Sequence, residues 1–200
     1  MNAVAMQDQV VYDLLMENAL KQTVVLFHSA FGLRPAVGKF ADRLRANGHA
    51  VYTPDLFDGA VFDTVEDGVR HAESLGIPLL IGRAKKSLEN LPSEIFYAGF
   101  SMGARGAILM HAALPPTMLG VKVWPPVPVQ IHYAEQDPWV ESAHVQALSE
   151  AVTRAKQKCM VYRYPGSGHL FADEDLSDYH AESAEAMIER VLDFLDHAGD

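Results

Sequence analysis

Residues 94–103 read EIFYAGFSMG, a short apolar run that passes directly into a turn flanked by glycines. The first six residues predict a buried strand, and the apolar residues at 102–113 predict that a buried helix follows. A Gly-x-Ser-x-Gly turn between a strand and a helix is typical of a nucleophile held above a sheet, because glycines let the backbone crowd without Cβ clashes. We therefore interpret Ser101 as a candidate nucleophile. The alternative is a glycine-rich turn that carries a solvated serine.

Short apolar runs alternate with helical patterns along the rest of the chain. Strands are predicted at 24–28, 50–54, 94–99, 127–133 and 159–164. Helices are predicted at 35–47, 65–75, 102–113, 141–157 and 177–197. Buried strands separated by helices indicate a parallel sheet with helices on both faces. We predict a single domain over 1–200 with an α/β fold of the α/β-hydrolase type, a mostly parallel central sheet and no large cap domain.

The composition limits the classes of partner. The chain has 200 residues and a formal net charge of −10, which disfavours nucleic acid and anionic membrane as partners. The single cysteine, Cys159, excludes an internal disulfide and fits a reducing compartment. The first residues do not resemble a signal peptide, and no apolar run is long enough to span a bilayer. We expect a cytoplasmic protein that needs no metal and no cofactor.

The acid and base partners of Ser101 follow from chain order, which in this fold is nucleophile, acid, histidine. Among the later histidines, only His169 falls in a loop after a strand, in the small-residue segment at 165–169; those set aside are His132, His144, His180 and His197. Asp137 is the only aspartate between Ser101 and His169, and it directly follows a predicted strand. Glu135 remains the fallback.

These residue types account for a nucleophilic mechanism. A serine hydroxyl is a poor nucleophile until a base takes its proton, so His169 is the predicted base for Ser101. Asp137 is predicted to hold the imidazole in the right tautomer and to stabilise the imidazolium. The alternatives are a turn-capping aspartate and a surface histidine.

An oxyanion hole needs two backbone N–H groups. One belongs to the residue after the nucleophile, Met102, and the other to the loop after an early strand, for which Ala30 in the segment HSAFG is the candidate. Phe31 and Trp139 are candidate pocket residues, with ordinary packing as the alternative. Asp55, in the segment PDLFDG, is interpreted as structural.

These segments together resemble the dienelactone hydrolase family over most of the chain. The resemblance rests on VVLFHSAFGLRP at 24–35, AVYTPDLFDG at 50–59, GFSMGA at 99–104, IHYAEQDPWV at 131–140 and the stretch from YPGSGHLFAD to the last helix at 164–195. It implies the same triad and oxyanion positions. The implied activity is hydrolysis of small ester, lactone or thioester bonds through an acyl-enzyme, by a monomer or homodimer. An acyltransferase, a peptidase or an inactive binding protein on the same fold are the alternatives.

The chain departs from the family pattern at several positions. Ser101 replaces a cysteine nucleophile, and Ser29 replaces a first-loop glutamate. Asp173 stands where the family has an arginine that helps to hold a substrate carboxylate, and the segment from 113 to 127 is short. Since Asp173 is expected to line the pocket, the sequence predicts that neutral esters are preferred over anionic lactones.

Overall fold

The computed structural model describes residues 21–92, 94–99, 106–118 and 122–197. The strands in this part of the chain are β1 Thr23–Leu26, β2 Ala50–Tyr52, β3 Phe96–Ala98, β4 Gly106–Met110, β5 Val129–Ala134 and β6 Cys159–Tyr164. The helices are α1 Pro35–Ala46, α2 Val65–Leu75, α3 Ile77–Leu88, α4 Ser142–Arg154 and α5 Ala181–His197. Within the described ranges, none of these helices has the length and apolar content needed to cross a bilayer.

The strands form one sheet in the order β2-β1-β3-β4-β5-β6, and every described pairing is parallel. The predicted parallel sheet is confirmed. The chain first runs outward from β1 to β2 and then returns to β3, so the direction of strand addition reverses between β1 and β3. In such sheets the ligand site lies beyond the carboxyl ends of the strands, next to the point of reversal.

Apolar side chains bury both faces of the sheet. On one face, Leu44 of α1 and Val191 of α5 pack in a cluster with β1, β3 and β4. On the other face, Leu148 of α4 packs against β4 and β5, and the partly buried Leu88 of α3 packs against β1 and β3. The predicted arrangement of helices on both faces is therefore confirmed.

The predicted helix over 102–113 is wrong, because Gly106–Met110 is the strand β4. This run is almost wholly buried, and a short apolar run cannot be assigned to a strand or a buried helix by periodicity alone. Placed between β3 and β5, the run completes the backbone ladder of the sheet. The helix α3 was not predicted from the sequence. None of its residues is buried and its apolar Ile77 is exposed, so its pattern does not mark a core-facing side.

The connection between β3 and β4 is unusually short. Only residues 99–105 separate Ala98 from Gly106. Parallel strands are usually joined by a crossover of about a dozen residues or more, most often a helix. The helix predicted over 102–113 therefore overlaps the strand β4 from Gly106 onward.

Candidate active site

Asp137 lies in a tight turn at the carboxyl end of β5. Its own N–H donates to the carbonyl of Ala134, the last residue of β5, at 3.1 Å, and its Oδ1 accepts from the N–H of Trp139 at 2.9 Å. The carboxylate is fully buried, with a side-chain exposure of 0%. Short local hydrogen bonds thus fix this side chain directly above the sheet.

His169 follows β6 in the predicted small-residue loop. Its backbone N–H donates to Oδ2 of Asp178 at 3.0 Å. A Cβ at the preceding residue, Gly168, would stand 2.6 Å from the carbonyl oxygen of Asp178, so only glycine allows the two chain segments to meet this closely. This contact holds the loop over the edge of the sheet.

The structure brings Asp137 and His169 together. Nδ1 of His169 lies 3.0 Å from Oδ1 and 2.9 Å from Oδ2 of Asp137. A carboxylate only accepts, so Nδ1 carries a proton, and in the neutral ring Nε2 has the lone pair that can accept one. Glu135, the fallback acid, is exposed, and its backbone N–H donates to the carbonyl of Tyr164 at 2.8 Å.

Ser101 and Met102 lie outside the described residues, so the structure places neither. It does place the end of β3 that leads to them. Gly99 has a φ of +102°, and a Cβ there would meet the carbonyl of Phe27 at 2.8 Å, which restricts this position to glycine. Gly99 lines the same cavity as His169.

The loop that carries Ala30 borders this cavity through its neighbour Ser29. The loop is held internally, since Oγ of Ser29 accepts from the N–H of Phe31 at 3.3 Å and the Ser29 carbonyl accepts from the N–H of Gly32 at 3.1 Å. Among the described residues, the N–H of Ala30 has no hydrogen-bond acceptor.

His111 was not predicted, yet it lies directly after β4 and against His169, with the ring centroids 6.3 Å apart. Its φ of +62° is uncommon for a residue other than glycine. Burial lowers the pKa of His111 to about 3, with smaller contributions from neighbouring histidines. The ring is therefore neutral at physiological pH. Chain order could not identify it, because the residue was assigned to a helix.

Asp173 lines the cavity, and its charge is compensated. Nε of Arg34 donates to its Oδ2 at 3.1 Å, and both side chains are nearly buried. The neighbouring Glu174 forms an ion pair with Lys39. The cations that pair with both carboxylates come from a distant part of the chain.

The other two predicted pocket residues lie at different depths. The Trp139 ring is 6.2 Å from that of His169 and is half exposed, so it lies over the outer side of the base. Phe31 is buried, and the guanidinium carbon of Arg34 lies over its ring, 5.9 Å from the centroid. Phe31 is not among the described residues that line the cavity.

The cavity has a volume of about 90 Å³ and extends from His169 down between α1 and α5. Its wall is mainly apolar and includes Val37, Phe40, Met110, Leu170 and Met187. Over the described ranges, no cluster of histidine, cysteine or carboxylate side chains has the composition of a metal site. The arrangement suits a small uncharged group held beside a base.

Comparison with known proteins places the chain in one family. Residues 11–199 match the model of the dienelactone hydrolase family. The chain is 29% identical over 217 residues to a Yersinia pestis protein provisionally named a carboxymethylenebutenolidase, covering 88% of this chain and 78% of that protein.

Solved structures share the fold. One is a dienelactone hydrolase-like promiscuous phosphotriesterase from metagenomic libraries, with a TM-score of 0.68, 21% identity, and coverage of 88% of this chain and 86% of that one. Another is an esterase of Thermogutta terrifontis, with a TM-score of 0.57, 17% identity, and coverage of 91% and 85%. The chain is an esterase-type hydrolase and belongs to the dienelactone hydrolase family.

Proposed function

We propose that this protein is a serine hydrolase that cleaves small neutral esters, lactones or thioesters through an acyl-enzyme. Ser101 is the nucleophile, His169 the base, and Asp137 the acid that orients the base. The observation that carries the proposal is the contact of Asp137 with Nδ1 of His169, in a cavity that His169 shares with Gly99, two residues before Ser101.

The first half of the reaction forms the acyl-enzyme. Nε2 of His169 takes the proton of the Ser101 hydroxyl while Oγ attacks the carbonyl carbon, and Asp137 stabilises the resulting imidazolium. The carbonyl π electrons move to oxygen, where the N–H groups of Ala30 and Met102 donate to the negative charge. As the tetrahedral intermediate collapses, the bond to the leaving group breaks and His169 gives it the proton.

The second half repeats these steps with water. His169 takes a proton from a water molecule while the water oxygen attacks the acyl carbon. His169 then returns the proton to Oγ of Ser101 as the carboxylic acid product leaves. No group beyond the triad and two N–H donors is required.

The size and polarity of the cavity support a short neutral acyl group. Its volume of about 90 Å³ is well below the roughly 300–1,000 Å³ of pockets for drug-sized ligands. Arg34 neutralises Asp173, which lines the cavity, and the protein's net charge of −10 disfavours approach of anions. The structure of the Thermogutta terrifontis esterase, which shares the fold, has propionate bound, and propionate is a ligand of this size.

We also propose that the protein works in the cytoplasm as a monomer or homodimer on a small-molecule substrate. The single cysteine, Cys159, leaves no internal disulfide to form. Burial raises the pKa of its thiol, which disfavours the reactive thiolate.

A second candidate is a hydrolase-fold binding protein that has lost activity. It is favoured by the strand β4, which begins at Gly106, because a helix ordinarily follows the nucleophile in this fold. The two candidates differ in whether Ser101 reacts.

The experiment is a series of p-nitrophenyl esters from acetate to octanoate, assayed with wild type and Ser101→Ala. We expect turnover that is highest at two to four acyl carbons, falls with longer chains and is lost in the variant. Equal rates in wild type and Ser101→Ala would overturn the serine assignment. A preference for octanoate would overturn the assignment of the cavity.

A further inference from the structure

The segment PDLFDG, set aside in the sequence as structural, forms a turn closed by the carboxylate of Asp55. Its Oδ1 accepts from the N–H of Phe57 at 2.9 Å and its Oδ2 from the N–H of Gly59 at 2.6 Å. The positive φ angles of Asp58 and Gly59 complete the turn. The N–H of Leu56 is thereby left to donate elsewhere, and it donates to Nε2 of His28 at 3.0 Å.

This hydrogen bond fixes the tautomer of His28. Because Nε2 accepts from an amide, the proton of the neutral ring lies on Nδ1, and Nδ1 donates to the carbonyl of Ser29 at 2.8 Å. The side chain is 1% exposed and packs edge-on against Phe57, with ring centroids 4.8 Å apart. Burial lowers the pKa of His28, which keeps the ring neutral. The ring is thus held at both nitrogens.

Holding the carbonyl of Ser29 also orients the N–H of Ala30. The two groups belong to one planar trans peptide unit, in which the C=O and N–H bonds point in opposite directions. The next peptide is fixed as well, because the Ala30 carbonyl packs so closely on Gly68 of α2 that no side chain fits there. His28 and Ser29 both line the cavity that contains His169.

We propose that His28, oriented by the Asp55 turn, is a positioning residue that aims the Ala30 N–H at the oxyanion of the tetrahedral intermediate. This proposal rests on the proposed function, since it requires an acyl-transfer reaction at Ser101. His28 does not touch the substrate oxygen. It acts through the Ser29–Ala30 peptide, so that the donor is already oriented when negative charge develops.

The test compares two substitutions that each keep one end of the imidazole. The side-chain NH2 of Asn occupies about the place of Nδ1, so His28→Asn retains the donor to the Ser29 carbonyl. His28→Gln places its amide near Nε2 and loses that donor. We expect kcat to fall about tenfold to a hundredfold in His28→Gln with little change in KM. This is less than the roughly hundredfold to thousandfold cost of removing an oxyanion donor, because the Ala30 N–H is misoriented rather than lost. In His28→Asn, kcat should stay within about threefold of wild type, because the donor that orients the peptide is kept.

A second measurement separates orientation from folding. A thionoester presents sulfur, a poor hydrogen-bond acceptor, in place of the carbonyl oxygen, so the ester-to-thionoester ratio of kcat reports the oxyanion hole. The ratio should fall in His28→Gln and stay unchanged in His28→Asn. His71→Gln is the matched control, because the His71 ring packs against the same Phe57 ring, with the centroids 5.0 Å apart. This variant should leave the ratio unchanged.

Asp55→Asn tests the positioning role if the His28 variants do not fold. Asn can accept only one of the two turn hydrogen bonds, so the ratio should fall severalfold. An unchanged ratio in either His28→Gln or Asp55→Asn, in a protein whose wild type is active, would overturn the positioning role alone. An inactive wild type would instead overturn the proposed function and this proposal with it.

Discussion

Two parts of the candidate site meet at the same edge of the sheet but differ in construction. The acid–base part lies at the ends of β5 and β6, which pair over six residue positions. The nucleophile part lies between β3 and β4, which pair over three positions and are joined by residues 99–105. Asp137 and His169 are each fixed by hydrogen bonds of their own loops, so this half is complete without the other. The described hydrogen bonds that hold the acid and the base therefore lie within the segments that follow β5 and β6.

The largest effect is expected in the acid–base part. Asp137→Asn should lower kcat by about 10⁴, because the amide can hold His169 in the wrong tautomer and cannot stabilise the imidazolium. The measurement is steady-state kinetics with a p-nitrophenyl ester. Glu135→Gln is the matched control, and it should change kcat less than about threefold, as expected for an exposed side chain outside the site. The reverse order of effects would exclude Asp137 as the acid.

The pH dependence is the next largest effect. The base must be neutral to accept a proton, so kcat/KM should fall at acidic pH, approaching about tenfold per pH unit once the base is mostly protonated. Burial lowers the pKa of His111 and of His132 to about 3, so both rings stay neutral and add no ionisation above pH 5. A pH profile of kcat/KM between 5 and 9 should show one ionisation. His169→Ala should remove this limb together with most activity, whereas a limb that persists would place the base elsewhere.

The stability of the nucleophile part is tested at Gly106, the first residue of β4. A Cβ there would stand 2.8 Å from the ring of Phe96 and 3.1 Å from that of Phe194. Gly106→Ala should lower the free energy of unfolding by about 1–3 kcal/mol, measured by urea denaturation. Gly82→Ala in α3 meets open space and should raise that free energy by about 0.5–1 kcal/mol. A neutral Gly106→Ala would mean that β4 is packed differently.

The smallest effect concerns substrate charge. Asp173→Asn removes the nearly buried carboxylate partner of Arg34 and leaves only the exposed Asp63, at 3.5 Å, among its described carboxylate partners. The ratio of kcat/KM for carboxylated over neutral esters should therefore rise about threefold to tenfold. Glu174→Gln is the control, because Glu174 pairs with the exposed Lys39. Matched ester pairs measure the ratio. An unchanged ratio in Asp173→Asn would show that this pair does not set charge preference.

Chain order was enough to find the pair that the structure brings together. Asp137 and His169 each follow a strand and lie in loops of small or turn-forming residues, which are local signals. The same rule set aside His132, which lies within β5 with both ring nitrogens bonded, to the Tyr164 hydroxyl and to Oε1 of Gln130. Local sequence signals were therefore sufficient to select Asp137 and His169.

Non-local contacts could not be predicted in this way. Arg34 and Asp173 are 139 residues apart, and neither side chain carries a local sign of the other. The strand β4 was missed because its apolar run fits a buried helix equally well until its neighbours β3 and β5 are known. The interpretation of Asp55 as structural holds, but its connection to the loop of Ala30 through His28 depends on the folded arrangement.

We predict that these two parts together make Ser101 reactive, and one labelling measurement tests this directly. Wild type, Ser101→Ala and His169→Ala are treated with a fluorophosphonate, and adducts are counted by intact mass and mapped by peptide mass spectrometry. We expect one adduct per chain on Ser101 in wild type, none in Ser101→Ala, and labelling slowed by several orders of magnitude in His169→Ala. An adduct on another residue, or a folded wild type that does not react, would contradict the central claim.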